Sequence, residues 1–139
     1  MKSRILIDTG PLVAVLSKGD QHHEECAELL RQILPPLVTC WPVLTEACWL
    51  LRSAPTAIDR LLISCASGLL SILPLTEQDA PSIAGILSRY QALRPRLADA
   101  ALVHLAAREK IDTVFTLDQR DFRVYRLPGN RLFRLLPSR

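Results

Sequence analysis

The chain has 139 residues, 49% of them hydrophobic and 22% charged, a balance that predicts a single folded domain over 1–139 and excludes a disordered segment. No apolar run approaches the ~18–20 residues of a membrane span, and the three apolar residues before Asp8 are too few for a secretory leader. The net charge of +3 is too small to demand a polyanionic partner, so the bulk numbers point to a soluble, cytoplasmic protein with no membrane partner.

The apolar run Ser3–Ile7 ends abruptly at Asp8 and reads as a buried strand. Thr9–Gly10–Pro11 breaks it, and Pro11 suits the first turn of a helix over Leu12–Leu16. Lys18–Gly19–Asp20 is a turn, followed by a helix from about Gln21 to Leu34 with Cys26, Leu29, Leu30, Ile33 and Leu34 on its apolar face. Pro35–Pro36 stops that helix, and Leu37–Cys40 is a second strand. Pro42 opens a helix carrying Val43, Leu44, Ala47, Leu50 and Leu51, and another covers roughly Ala57–Ala66. Leu69–Leu73 is a third strand. Thr76 and Asp79 form a capping-box pattern ahead of a helix over Glu77–Tyr90. After the Arg94–Pro95–Arg96 loop, the helix Leu97–Lys110 turns Leu97, Ala101, Leu102, Leu105 and Ala106 inward. Asp112–Leu117 is a fourth strand, and Leu132–Leu136 a fifth after the Pro128–Gly129–Asn130 turn. Strands alternating with helices predict an α/β fold: a three-layer α/β/α arrangement around a mostly parallel sheet of about five strands.

The four cysteines, Cys26, Cys40, Cys48 and Cys65, have no C-x-x-C or zinc-finger spacing and lie in apolar stretches, so they read as reduced, buried thiols. His22 and His23 read as surface residues, and His104 as a partly buried helix histidine. Trp41 and Trp49 suit core or dimer packing, with base stacking the alternative. Residues 119–139 hold six arginines against the single acid Asp121. Arginine forks fit phosphate oxygens, and the same segment also fits a solubilising surface.

Asp8 and Asp118 each directly follow a predicted strand, and ligands in open α/β sheets bind at such strand ends, where the strand order reverses. Asp99 and Glu46 lie near the starts of helices that face the same sheet edge. A lone acid at such a place is ordinarily a cap or turn residue; four converging acids are a different matter. Clustered carboxylates cannot all stay ionised without compensation. Hard divalent cations such as Mg²⁺ or Mn²⁺ supply it. Beside a phosphodiester they activate water and stabilise the leaving oxygen. Nucleophilic serine or cysteine chemistry has no support, because no G-x-S-x-G and no P-loop is present. A haloacid-dehalogenase phosphatase needs a second Asp where Gly10 stands, and a receiver domain needs a Lys where the segment after Leu117 has Arg.

Four segments carry a resemblance. Residues 5–14 (ILIDTGPLVA) look like the opening of a PIN domain, and 43–51 (VLTEACWLL), 97–106 (LADAALVHLA) and 113–122 (TVFTLDQRDF) resemble its later acidic motifs, in family order. A single-domain chain of this length is similar to the VapC-type toxins of toxin–antitoxin pairs. The resemblance implies that Asp8, Glu46 and Asp99 are metal-binding acids and Asp118 the more variable fourth, together catalytic with Mg²⁺ or Mn²⁺. It puts Thr116 two residues before the fourth acid, where its hydroxyl positions a carboxylate or water. Asp121 and Thr9 are further candidates behind the metal ligands, although Asp121 also suits a turn cap and Thr9 a cap of the next helix. The implied activity is endoribonuclease cleavage leaving a 5′-phosphate, with RNA held by Arg94, Arg96, Arg120 and Arg123. The implied partners are RNA, a second copy in a homodimer, and an antitoxin whose C-terminal segment occupies the acidic groove. The alternative is a PIN-fold RNA-binding or protein-interaction module without significant catalysis.

Overall fold

The computed structural model describes residues 3–139. Five short strands form its central sheet: β1 (Ile5–Ile7), β2 (Leu37–Thr39), β3 (Leu70–Ile72), β4 (Thr113–Phe115) and β7 (Arg134–Leu136). Their order is β3-β2-β1-β4-β7, and every neighbouring pair is parallel. Leu6, Ile7, Val38, Val114 and Phe115 are buried at the centre, because a parallel sheet covered on both faces asks for continuous apolar strands. The chain steps from β1 outward to β2 and β3, then returns to β4 on the other side of β1. The strand order therefore reverses between β1 and β4, and that junction opens a crevice at their carboxyl ends.

The helices are α1 (Thr9–Leu16), α2 (His23–Gln32), α3 (Trp41–Leu50), α4 (Pro55–Ala66), α5 (Ala80–Arg89), α6 (Leu97–Glu109) and the short α7 (Gln119–Phe122). Helix α1 packs against α2, α3 and α4, while α5 packs along α6, which also touches α3. None of the described helices is long and apolar enough to cross a membrane. The most deeply packed helix is α6: Ala98 and Ala100–Ala106 are all buried, His104 among them.

Several boundaries differ from the sequence reading. The first helix begins at Thr9 rather than Leu12, because Asp8 caps it by accepting from the Thr9 backbone N–H at 2.7 Å. Capping therefore falls to Asp8, and Thr9 lies inside the helix. The helix expected over 77–90 divides into a 3₁₀ turn, Glu77–Asp79, and α5. The expected capping box closes that turn: the Thr76 N–H donates to Asp79 Oδ2 at 2.8 Å and the Gln78 N–H to Thr76 Oγ1 at 3.2 Å. Pro81, without an N–H, suits the first turn of the helix that restarts. The fifth strand breaks at Phe133. Arg131–Leu132 (β6) pairs antiparallel with Arg126–Leu127 (β5), while Arg134–Leu136 joins β4. Phe133 turns into the core against Phe122, with ring centroids 5.5 Å apart.

Apolar periodicity also overstates burial at helix ends. Leu97, Leu50 and Leu34 are exposed, and so are Trp41 and Trp49, which removes both tryptophans from the core. The cysteines are all free, but only Cys26 and Cys40 are buried; Cys48 and Cys65 are half-buried. His23 is half-buried rather than a surface residue, and its Nδ1 lies 2.8 Å from the Ala14 carbonyl.

Candidate active site

The first acid is placed by the sheet itself. The Asp8 N–H continues the ladder to the Phe115 carbonyl at 2.9 Å, holding the end of β1 against the end of β4. The Asp8 carboxylate accepts from the Thr9 N–H on Oδ1 and from the Thr116 hydroxyl on Oδ2, at 2.7 and 2.8 Å. Thr116 Oγ1 in turn accepts from the Asp118 N–H at 3.0 Å. Thr116 thus links the first acid to the loop carrying the fourth. Asp118 does not directly follow its strand as expected: β4 ends at Phe115, and Thr116–Leu117 intervene. Gly10 allows this loop to close over α1, since a Cβ there would meet the Leu117 side chain at 3.3 Å.

Glu46 projects from α3 and Asp99 from the first turn of α6. Arg96 bridges them. Its backbone N–H donates to Asp99 Oδ2 at 2.9 Å, and its guanidinium donates to Glu46 Oε1 at 3.2 Å. Asp8, Thr9, Glu46, Asp99, Asp118 and Asp121 line one open cleft of about 480 Å³ together with Arg94 and Arg96. Leu50 and Leu117 form its apolar wall, which accounts for the exposure of Leu50. Thr116 lies fully buried behind Asp8. Arg120 and Arg123 do not line this cleft; Arg123 donates to Gln119 Oε1 at 3.5 Å. Of the other tail arginines, Arg126 is spent on the backbone carbonyls of Arg123, Val124 and Tyr125, and Arg139 pairs with Glu25. The basic tail is dispersed, not a single face.

Burial pushes the Asp8 carboxyl up to about 7; the Thr9 N–H and Thr116 hydroxyl oppose this, and the charges of Asp99 and Glu46 reinforce it. Asp99 is also raised, by burial first and then by the charges of Asp118, Glu46 and Asp121. Asp118 is raised by burial and by Asp121, with the Arg96 guanidinium pulling the other way. The acids therefore raise one another, which is the signature of negative charge in excess of local compensation.

The donor set, all carboxylate oxygen, matches a hard divalent cation. Among the described residues no three His, Cys, Asp or Glu side chains stand ready to enclose one ion. Mg²⁺ needs less than such a cage, since it keeps several waters and is held through one or two carboxylates. Sequence reasoning missed Leu50, Leu117 and Gly10 as parts of the cleft. A glycine in the first turn of a helix, between Asp8 and Pro11, was the available sign of a close approach.

The PIN domain family model matches residues 5–127. The chain is 30% identical over 135 residues to Ribonuclease VapC26 of Mycobacterium tuberculosis, covering 96% of this chain and 100% of that protein. Its fold is similar to the crystal structure of VapC20 of M. tuberculosis, a sarcin–ricin loop cleaving toxin: TM-score 0.73 at 20% identity, over 79% of this chain and 86% of that one. It is also similar to VapBC2 of Rickettsia felis, solved bound to a DNA fragment from its promoter: TM-score 0.63 at 15% identity, over 95% and 98% of the two chains. The five-stranded parallel sheet, the acids of four separate elements gathered at its switch point, and a family match over most of the sequence agree: this chain belongs to the PIN domain family.

Proposed function

We propose that this protein is a divalent-cation-dependent endoribonuclease and the toxin of a VapBC-type toxin–antitoxin pair. The observation that carries the reading is the cleft itself. Asp8, Glu46, Asp99 and Asp118 face one space, with Asp8, Asp99 and Asp118 raised by burial and by neighbouring acids. A folded protein keeps such a repulsive group where a function needs it. The likeness to Ribonuclease VapC26 across the whole chain supports ribonuclease chemistry in particular.

Asp8, Glu46, Asp99 and Asp118 would hold Mg²⁺ or Mn²⁺. The bound cation would supply Lewis acidity at the phosphodiester and ease the ionisation of water for in-line attack, leaving a 5′-phosphate. The remaining work belongs to the chain. Thr9 N–H and the Thr116 hydroxyl fix the rotamer of Asp8, so this carboxylate is oriented before any substrate arrives. Asp121, in the same cleft, raises the proton affinity of Asp118. Arg94 and Arg96, on the rim of the cleft, hold the RNA backbone as phosphate forks; Arg120 and Arg123 extend that contact only for a substrate reaching beyond the cleft. A cognate antitoxin would cover the same acids, a reading supported by the likeness to VapBC2. The exposed Trp41 and Trp49 of α3 support pairing in a homodimer.

The test is incubation of the purified protein with structured and single-stranded RNA in Mn²⁺ and in EDTA, beside Asp8→Asn. Cleavage that needs Mn²⁺ and disappears in the variant is the expected result. Cleavage that persists in EDTA, or in Asp8→Asn, overturns the mechanism. A chain that binds Mn²⁺ and RNA but cuts none is the non-catalytic module instead.

A further inference from the structure

Two hollows adjoin one another beyond the acid cleft. One, of about 300 Å³, is lined by Arg89, Tyr90, Val103, His104 and Asn130 among others; the second, of about 480 Å³, by Ser3, Ala106, Lys110, Asp112 and Arg131. Ala107 and Pro128 belong to both walls, so the two make one continuous surface. Its charge is unbalanced. Arg89, Lys110 and Arg131 are exposed, and none of them pairs with an acid among the described residues. The Arg89 guanidinium lies 5.1 Å over the Tyr90 ring, and Arg131 Nε donates to the Pro128 carbonyl at 3.2 Å; both contacts leave Nη groups for another acceptor. The neighbouring acids are already matched: Asp79 faces Arg108 and His104, and Glu109 faces Arg108 and Arg4. Asp112 is the acid that the lining itself contributes.

The surface leads back to the acids by two routes. Along α6, Asp99 lines the cleft, Val103 the first hollow, Ala107 both hollows and Lys110 the second. Spaced i, i+4, i+8 and i+11, these residues share one side of the helix, and the helical rise puts Lys110 roughly 16 Å along the axis from Asp99. Along the chain, Arg89 and Tyr90 stand at one end of the 3₁₀ turn Gln91–Leu93, and Arg94 of the cleft rim stands at the other. A polyanion that crosses the rim at Arg94 meets Arg89 across this turn. Helix ends favour cations in any case, which would account for Arg89 and Lys110 at the C-terminal ends of α5 and α6. That preference does not account for Arg131 on β6, nor for three cations from three elements gathered on one concave surface.

We infer that this surface binds the backbone of the RNA flanking the scissile phosphodiester, with Arg89, Lys110 and Arg131 as its phosphate contacts. The inference rests on the proposed ribonuclease function and deepens it: the substrate is an RNA that runs beyond the cleft and is held there by charge, not by base identity. Each such contact releases counterions, so its worth is read in the salt dependence of binding.

The experiment is binding of a labelled RNA stem–loop over a series of salt concentrations in EDTA, with cleavage of that RNA and of a tetranucleotide in Mn²⁺ alongside. The full chain is compared with the triple variant Arg89→Gln, Lys110→Gln, Arg131→Gln. A control triple, Lys18→Gln, Arg31→Gln, Arg60→Gln, removes the same charge from exposed positions elsewhere. The first triple should flatten the slope of log affinity against log salt by roughly 2 to 3, as three phosphate contacts require, and weaken binding at low salt by at least about 10-fold. The control should keep the wild-type slope. Cleavage of the tetranucleotide, too short to span cleft and surface together, should be unchanged in both. A wild-type slope in the first triple overturns the inference, and is the result expected if the surface serves an acidic protein partner instead. Equal flattening in the control also overturns it, since net charge would then be the cause. A wild type that shows the expected binding difference but cuts no RNA removes the nuclease reading and leaves the surface standing. A wild type that cuts RNA while the slopes agree removes the surface alone, and one that neither binds nor cuts removes both.

Discussion

Asp8 and Asp79 are almost equally hidden, at 6% and 9% exposure, yet their carboxyl groups are pushed in opposite directions. Asp79 is surrounded by donors. Its Oδ2 accepts from the Thr76 N–H, and its Oδ1 faces His104 Nε2 at 2.7 Å and the Arg108 guanidinium at 3.0 Å. The Thr76 N–H, then His104 and Arg108, hold it far below the usual carboxylate range. Asp8 receives one N–H and one hydroxyl and faces other acids, so burial dominates and carries it up to about 7. Burial alone therefore does not mark a functional carboxylate; a shortage of positive partners does. Asp79 locks the entry of α5 onto α6, whereas the cleft acids are left to be completed by something from outside.

Exchanging one carboxylate at a time separates the two regions most sharply. Asp8→Asn should lower RNA cleavage by at least about 10³-fold, the scale on which loss of a central catalytic group is felt. Asp79→Asn should leave cleavage within a few-fold of wild type and lower the melting temperature by several degrees, because a capping box, the His104 contact and the Arg108 ion pair are weakened together. Activity that falls in Asp79→Asn as steeply as in Asp8→Asn, at a temperature where both are folded, would erase the distinction.

The two aspartates also impose opposite pH dependences. Asp8 rises from 3.8 in the unfolded chain to about 7 in the fold, so between those values the native state binds more protons than the unfolded one. Stability then declines as pH rises through that window. Asp79, held low, stabilises the fold throughout it and gives way only in stronger acid. In cation-free buffer at pH 8, Asp8→Asn should be more stable than wild type by on the order of 2 kcal/mol, and the gain should vanish near pH 4. Saturating Mn²⁺ should reverse the ranking, because about 2.7 kcal/mol accrues to a protein at a hundredfold excess over its dissociation constant. Denaturant melts at the two pH values, with and without Mn²⁺, read both effects; an Asp8→Asn protein that gains nothing at pH 8 would show that Asp8 is compensated after all.

This contrast was only half visible in the chain. Apolar runs stopping at Asp8 and near Asp118 announced the strand ends, and Thr76 with Asp79 announced a cap, because each is a local signal. Whether an acid is compensated depends on residues far away in sequence. His104 reaches Asp79 from 25 positions off, and Arg96 reaches Glu46 from 50. His104 lies five residues after Asp99 on the same helix, and pattern alone left it without a partner. The strand broken at Phe133 was hidden for a related reason: apolar content marks burial, but the choice between pairing with β5 and pairing with β4 is made by tertiary contacts. Leu97 and Leu50 show the converse error, since helical periodicity cannot tell a core position from an exposed one, such as the cleft wall that Leu50 forms.

The smallest predicted effect tests the arginine that is already paired with one of the acids. Arg96 is mostly exposed, at 70% of its side chain, and its ion pair with Glu46 is worth little in water. It nevertheless occupies a carboxylate proposed to bind Mn²⁺, and it stands on the rim proposed to bind phosphate. The two roles compete, so Arg96→Gln has opposite consequences for two ligands. Freed Glu46 should bind Mn²⁺ about 1.5- to 5-fold more tightly, the range of an exposed pair. The lost guanidinium should weaken RNA binding and flatten its salt dependence by close to one phosphate contact. A purely structural arginine would weaken both together, through Asp99 and the start of α6. Calorimetry with Mn²⁺ and RNA-binding isotherms at two salt concentrations separate the cases: opposite signs make Arg96 an exchangeable partner of the cleft acids, and a common sign makes it part of their scaffold, as Arg108 is for Asp79.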